Sequence, residues 1–326
     1  MKVAIVGAGI AGLAAARLLV QDGHEVQVYE RNDHVGGRAA TQAIDDYIFD
    51  PGATSVTPRG QAIEPVILNE LSRDDLVEIE KPIYVQSMGR ISASSSPSSR
   101  LKRYCYRSGI QHLGELLAEG INVRLSTEVE SLAREGETYF VAGEKYDALI
   151  LTPPIPQTEL LLGSMGVTRN FSNSHYRPVL SVMLGYDIPL ETPYHAVIEP
   201  EQTEPLTWLS VETMKSPGRA PEGHTALVAQ LSPSYSRWNF DAKESEIIAN
   251  TLVDVGRLLG APFREPKVTG LKRWRYSQPE MSVSFESVNR KGSKLLIASD
   301  GLIGGRIENA YDAGALAAQW LTETAC

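Results

Sequence analysis

Short unbroken apolar runs and longer apolar stretches of helical spacing alternate at both ends of this chain. The middle reads as one strand after another. Lys2 to Val6 is a β-branched run of the kind found in buried parallel strands. Ala11 to Val20 continues as an alanine-rich apolar helix, Asp22-Gly23-His24 stops it, and Glu25 to Tyr29 is a second strand. Tyr47 to Phe49 is a short strand and Gln61 to Leu71 a helix. Ile83 to Ile91 is a strand whose return partner is Leu101 to Tyr106, joined by the polar, low-complexity stretch Ser92 to Ser99 as a mobile hairpin loop. Lys102, Arg103 and Arg107 then form a solvated edge face. A helix follows from Ser108 to Ala118, a strand from Ile121 to Leu125, and a hairpin from Thr127–Leu132 and Glu137–Val141. Asp147 to Thr152 is a strand closed by Pro153-Pro154, and Gln157 to Leu162 is a helical turn.

From about residue 165 to 285 the pattern changes. Pro178–Tyr186, Tyr194–Ile198, Leu206–Val211 and Thr225–Leu231 are strands separated by Pro/Gly turns. Ala242 to Leu259 is an amphipathic helix with Ile247, Leu252, Val255 and Leu258 at helical spacing, and Val268 to Tyr276 is one more strand. The end returns to a buried strand, Lys294 to Ala298, and a helix from about Ile307 to Leu321. The fold class is therefore α/β: a Rossmann-like nucleotide-binding domain with an inserted mixed-sheet domain.

The first strand–helix junction carries the chemistry. Gly7, Gly9 and Gly12 make G-x-G-x-x-G between a strand and a helix. The first glycine permits the tight turn, the second lets a pyrophosphate approach the backbone, and the third lets the helix pack close to the sheet. The helix N-terminus offers free N–H groups to phosphate. Glu30 closes the second strand near the roughly 20-residue spacing at which an acid accepts ribose hydroxyl bonds. Gly36-Gly37-Arg38 follows as a backbone-lined loop with an arginine suited to phosphate or carboxylate, and Asp50 before Pro51-Gly52 reads as the holder of a turn. Ser299-Asp300-Gly301 and Gly304-Gly305-Arg306 repeat the strand–acid–glycine–helix arrangement at the far end, with the helix N-terminus aimed at the same crevice.

Composition narrows the class. With 326 residues, 42% hydrophobic and 22% charged, the chain is an ordinary globular protein of two domains. A net charge of −9 disfavours a nucleic-acid surface. The two cysteines, Cys105 and Cys326, stand far apart and read as reduced thiols of a cytoplasmic protein. No run approaches the ~18 apolar residues of a membrane span. A lysine followed by apolar and small residues resembles a signal peptide, but cleavage there would destroy a complete βαβ unit. The six histidines form no H-x-x-x-H or H-E-x-x-H pair, so no metal site is expected, and neither G-x-S-x-G nor G-K-[ST] occurs.

The ordered set Gly7-x-Gly9-x-x-Gly12, Glu30, Gly36-Gly37-Arg38, Asp50-Pro51-Gly52-Ala53, the strand before Pro153, and Ser299-Asp300 with Gly304-Gly305-Arg306 resembles the flavin-containing amine oxidase superfamily. The Lys272-Arg273-Trp274-Arg275-Tyr276 stretch and the Gly305 to Ala310 ending resemble its renalase-like members. The resemblance implies an FAD-binding, glutathione-reductase-type Rossmann-like domain over 1–58, 105–160 and 292–326, and a substrate domain over 59–104 and 161–291. It implies non-covalent FAD, with Gly7, Ala8, Gly9, Ile10, Ala11 and Gly12 around the pyrophosphate. Glu30 would hold the ribose, Arg31 would lie beside the adenine, and Gly37 and Arg38 would meet phosphate or ribityl. Val129 would clasp the adenine, Asp300 the ribityl chain, and Arg306 and Ile307 the pyrimidine end of the flavin. Trp274 and Tyr276 are candidates for the substrate-side wall or for plain strand packing; no catalytic side chain is assigned. Renalase-like enzymes oxidise misreduced isomers of NAD(P)H and pass the electrons to O₂, giving H₂O₂.

Two corners depart from that pattern: Thr54-Ser55-Val56 stands where aromatic residues are usual, and Ser299 where glycine is. Lys272 and Lys294 read as solvated, strand-flanking side chains, leaving no lysine in the water-activating place of an amine oxidase. The competing readings are an FAD-dependent amine oxidase, an NAD-dependent dehydrogenase that leaves the C-terminal motif idle, and a non-catalytic flavin-binding protein.

Overall fold

The computed structural model describes the chain apart from residues 60, 173 and 326, so Cys326 lies outside the described residues. Five parallel strands form the first sheet in the order Leu295–Ile297, Ala148–Leu151, Lys2–Val6, Glu25–Tyr29, Asn122–Arg124. The first strand is central: Val3 to Val6 pair with Ala148 to Leu151 on one side and with Val26 to Tyr29 on the other. Its unbroken apolar run follows from burial on both faces, since Val3, Ala4 and Ile5 are wholly buried. The helices Ile10–Gln21 and Ile307–Ala325 share the core with these strands. They approach so closely that a Cβ on Gly314 would lie 2.1 Å from the Ala11 carbonyl oxygen. That contact brings the two ends of the sequence together. A three-stranded meander, Leu132–Glu135, Thr138–Val141 and Glu144–Tyr146, adds Leu132, Tyr139, Val141 and Tyr146 to the same core.

The second sheet has seven strands in the order Val268–Met281, His175–Tyr186, Thr225–Leu231, Leu206–Val211, Ala196–Ile198, Ile83–Ser87, Arg90–Ala93. It is mixed, because Ala196–Ile198 runs parallel to Ile83–Ser87 and the other pairs are antiparallel. Alternation sorts its faces. Leu180, Val182, Leu184, Leu209 and Leu227 pack with Ile247 and Val255 of the helix Glu244–Leu259. Met183 and Val228 point the other way, onto Tyr47 and Phe49 of the small Gln42–Ile44/Tyr47–Phe49 hairpin. That second face also meets the Pro51-Gly52 loop.

Several local expectations need correction. Ile83 to Ile91 is not one strand: Met88 and Gly89 both have positive φ (50° and 72°) and form a two-residue hairpin turn. The return partner is Arg90–Ala93, while Tyr104–Tyr106 pairs with Leu76–Glu78. The polar stretch between them contains a 3₁₀ turn at Pro97–Arg100. Arg103 is not solvated. It is buried and donates to the carbonyls of Ser98, Ser99 and Leu101 at the end of that turn. The strand from Val268 runs past Tyr276 to Met281 and tolerates Pro279 because it is an edge strand. The helical segment around Ile63, Val66 and Ile67 belongs to the parallel-sheet core.

Candidate active site

The three glycines of the first turn are held for different reasons. Gly7 has φ +101°, and a Cβ there would lie 2.5 Å from Thr152 Oγ1. A Cβ on Gly12 would lie 2.0 Å from the Gly7 carbonyl oxygen. The protein itself forbids side chains at both. Gly9 differs: its φ of −74° suits any residue, and a Cβ would meet nothing within 4 Å. Gly9 is also the N-cap of the Ile10–Gln21 helix and supplies no side-chain cap. The amides of Ile10, Ala11 and Gly12 have no backbone acceptor and lie beside the space that Gly9 leaves open, the condition an anion needs at a helix N-terminus.

Glu30 is buried, and its carboxylate binds the turn. Oε2 accepts from the Ala8 amide at 2.8 Å, and Oε1 accepts from the Asn32 amide at 2.9 Å and the Asn32 side chain at 2.7 Å. One acceptor direction on Oε2 is left for a hydroxyl. Gly36 donates to the Ala8 carbonyl at 2.9 Å, and Gly37, with φ +61°, would place a Cβ 3.2 Å from the Gly9 Cα. The two glycines are therefore packed on the turn. Arg31 is exposed, and Val129 is half-buried in an irregular segment that packs on the parallel-sheet core.

At the C-terminal motif, Asp300 is buried and joined to Arg38. Arg38 Nη1 donates to Asp300 Oδ2 at 2.8 Å and to the carbonyls of Tyr276 and Ser277 at 2.9 and 3.0 Å. Burial works against the Arg38 charge, but Asp300 outweighs it and holds the guanidinium above its ordinary value. The Tyr176 hydroxyl donates to Asp300 Oδ1 at 2.7 Å, and its ring meets Tyr276 edge to face at 5.9 Å. Burial raises the Tyr176 hydroxyl pKa, so it remains a donor. Arg306 is exposed at the start of the last helix, and Ile307 is buried. Glu308 is buried too, accepts the Thr57 amide, and is pushed up by burial. It ties the Thr54-Ser55-Val56 corner to that helix N-terminus.

Asp50 does more than hold a turn. Its Oδ1 accepts from Thr41 Oγ1 at 2.8 Å and the Ile110 amide at 2.9 Å. Its Oδ2 accepts from Lys215 at 2.8 Å and Arg219 at 2.9 Å. Glu212 completes the set by accepting from Lys215 at 2.7 Å, and all four side chains are fully buried. Two acids face two bases, so the cluster is neutral. Burial opposes ionisation of Asp50, but Lys215 and Arg219 hold its carboxyl at about 2. The cluster fixes the Pro51-Gly52 loop, and Cys105 lies beside it as a buried free thiol.

That loop meets the second face of the mixed sheet. Trp274 Nε1 donates to the Pro51 carbonyl at 2.9 Å, and Gln230 Nε2 donates to Gly52 at 2.8 Å. Trp274 therefore lines the crevice beside Gly52, whose Cβ would lie 3.2 Å from the indole. Lys272 shares that face. It is half-buried with Nζ 5.2 Å from the Trp274 ring centroid, so it is not a solvated strand flank. Lys294 does precede the Leu295–Ile297 strand, paired with Glu137 at 3.9 Å. Tyr176, Lys272 and the Asp50 partners were absent from the sequence-based site because their neighbours lie far away along the chain.

The residues present suit FAD: Gly9 leaves space beside the helix N-terminus where a phosphate could sit, Glu30 closes the second strand, and Asp300, paired with Arg38, stands before the last helix. Comparison with known proteins agrees. Residues 5–69 match the NAD(P)-binding Rossmann-like domain, and residues 79–321 match the flavin containing amine oxidoreductase family. A protein of Exiguobacterium sp. 255-15 described as a candidate protoporphyrinogen oxidase superposes with a TM-score of 0.80 at 16% identity, over 99% of this chain and 98% of that one. Cyclohexylamine oxidase from Brevibacterium oxydans IH-35A superposes at 0.74 and 14% identity, over 99% and 98%. Putrescine oxidase superposes at 0.75 and 16%, over 98% of each chain. At these identities the likeness is one of fold. A stretch of 56 residues is 48% identical to 4,4'-diapophytoene desaturase of Staphylococcus aureus, covering 17% of this chain and only 11% of the desaturase. The matched family covers residues 79–321, which take in the mixed sheet and the C-terminal motif: the chain belongs to the flavin-containing amine oxidoreductases, a family of FAD-dependent oxidoreductases.

Proposed function

We propose that this chain uses non-covalently held FAD to oxidise a small hydride donor, a dihydronicotinamide isomer of NAD(P)H, and passes the electrons to O₂ to give H₂O₂. Trp274 carries this reading. Pro51 holds its indole beside Gly52, where a planar donor would stack. The bound flavin supplies the two-electron acceptor. The chain supplies position and charge. Gly7 to Gly12 and the helix N-terminus hold the pyrophosphate, Glu30 the ribose, and Asp300, backed by Arg38 and Tyr176, the ribityl chain. The N-terminus of the helix starting at Ile307 faces the pyrimidine end and favours negative charge there. A ring-borne hydride needs no proton removed, which suits a crevice where Asp300 is ion-paired and the Tyr176 hydroxyl pKa is raised. The nucleotide-binding unit is taken as 1–58, 105–160 and 292–326, and the substrate unit as 59–104 and 161–291.

Oxidation of an amine is the second reading. The edge-to-face Tyr176–Tyr276 pair favours it, as an aromatic pair could enclose a neutral amine. Anaerobic reduction of the bound flavin separates the two. Faster reduction by 2- or 6-dihydro-NAD(P) than by putrescine or cyclohexylamine supports the first reading. Faster reduction by either amine replaces it with the second.

A further inference from the structure

We infer that Lys272 selects the donor, and that the donor carries an oxyanion, a carboxylate or a phosphate, beside its oxidisable ring. The inference rests on the reading of this crevice as the donor site. Lys272 lies on the edge strand Val268–Met281, directly opposite Ser181, which in turn stands opposite Gln230, with Trp208 opposite Gln230 on the next strand. These four residues form one row across the sheet face that looks at Pro51 and Gly52. The neighbouring arginines do not share it: Arg273 donates to the carbonyls of Phe240 and Ala242, and Arg275 lies over the Phe240 ring, all on the far face.

The row is rich in donors and empty of acids. Among the described residues, no carboxylate lies within ion-pair distance of Lys272 Nζ. Ser181 is wholly buried and its Oγ has no partner, and the Trp208 Nε1–H is also buried without one. The other cations near the crevice are paired. Arg38 is paired with Asp300, and Lys215 and Arg219 with Asp50 and Glu212. The half-buried Lys272 ammonium, the unpartnered Ser181 hydroxyl and the unpartnered Trp208 N–H together leave a row of donors that a single oxyanion could satisfy. Trp274 offers a ring face to its cation but no countercharge. An anionic donor would supply one while its ring stacks beside the indole; a cationic amine would meet like charge.

Benzoate, phenyl phosphate and benzylamine present one ring with two kinds of anion and a cation. Their binding is read from the change in the flavin's visible absorption and by titration calorimetry, on the holoenzyme and on Lys272→Met and Lys272→Glu. The wild type should bind one or both anions at least tenfold more tightly than benzylamine. Tighter benzoate identifies a carboxylate, and tighter phenyl phosphate a phosphate. Lys272→Met, which keeps an aliphatic stem on Trp274, should lose that preference at unchanged flavin content, and Lys272→Glu should reverse it. The inference is overturned if benzylamine binds the wild type as tightly as the anions, if none of the three binds, or if Lys272→Met keeps its anion affinity or loses its flavin. If Lys272→Met does not fold, Lys272→Gln takes its place under the same criteria. A wild-type protein that takes up no FAD defeats the proposed function instead, and calorimetry alone then still reads the charge preference.

Discussion

Gly9 and Gly12 are three residues apart and are glycines for opposite reasons. At Gly12 the chain's own carbonyl occupies the place of a side chain, whereas at Gly9 only a ligand could. Gly9→Val should therefore fold with nearly unchanged stability and lose FAD affinity by a hundredfold or more, as read by flavin retention beside a thermal melt. Equal loss of both would make Gly9 a structural position. The motif was legible because all its parts lie within thirty residues in order. Asp50 was not, because Pro51-Gly52 after it looks like any turn, and Lys215 and Arg219 lie more than 160 positions away. Asp50→Asn leaves two buried bases facing one acid and should cost about 3–5 kcal/mol in denaturant unfolding. A cost under ~1 kcal/mol would mean that Glu212 alone balances the pair.

The elements that sequence located best were those buried on both faces or strictly amphipathic. Glu25–Tyr29, Tyr47–Phe49, Leu206–Val211 and Thr225–Leu231 fall where their apolar pattern put them. The hairpin at Met88-Gly89 was missed because methionine is an unusual residue for a positive φ, so the turn carries no Asn-Gly or Asp-Gly signature. Gly314 was equally silent, since a lone glycine within an apolar helix looks tolerated rather than required. It is required by the crossing of the first and last helices, whose N-termini both point at the crevice. Gly314→Ala should cost about 1–3 kcal/mol through overpacking against Ala11. Because both N-termini move with that crossing, flavin affinity should fall as well. A stable variant with wild-type flavin affinity would show that the helices separate freely.

The molecule as a whole joins a neutral buried charge cluster to a crevice open at Gly9, and its stability should fall on the acid side. His195 is buried with its Nδ1–H donating to the Lys81 carbonyl, and burial pushes its pKa down to about 4. An unfolded histidine binds a proton near 6.5, so stability is fully present above that value and declines as pH falls toward 4. Asp50 continues the decline, because its folded value near 2 lies below the ordinary ~3.9. Glu308, raised by burial, acts in the opposite sense through the carboxylate range. Unfolding at pH 5 should therefore be easier than at pH 7 by about 1–2 kcal/mol, and His195→Gln should flatten that interval. A wild-type profile flat from pH 7 to 5 would mean that His195 takes up a proton as readily folded as unfolded.

The central claim is that this crevice holds one FAD without a covalent bond. The direct measurement is the visible flavin absorption of the purified chain before and after acid precipitation. The expected result is about one FAD per chain in the native protein, with all of it in the supernatant after precipitation. A colourless protein that takes up no added FAD, or flavin that remains with the precipitated chain, would contradict it.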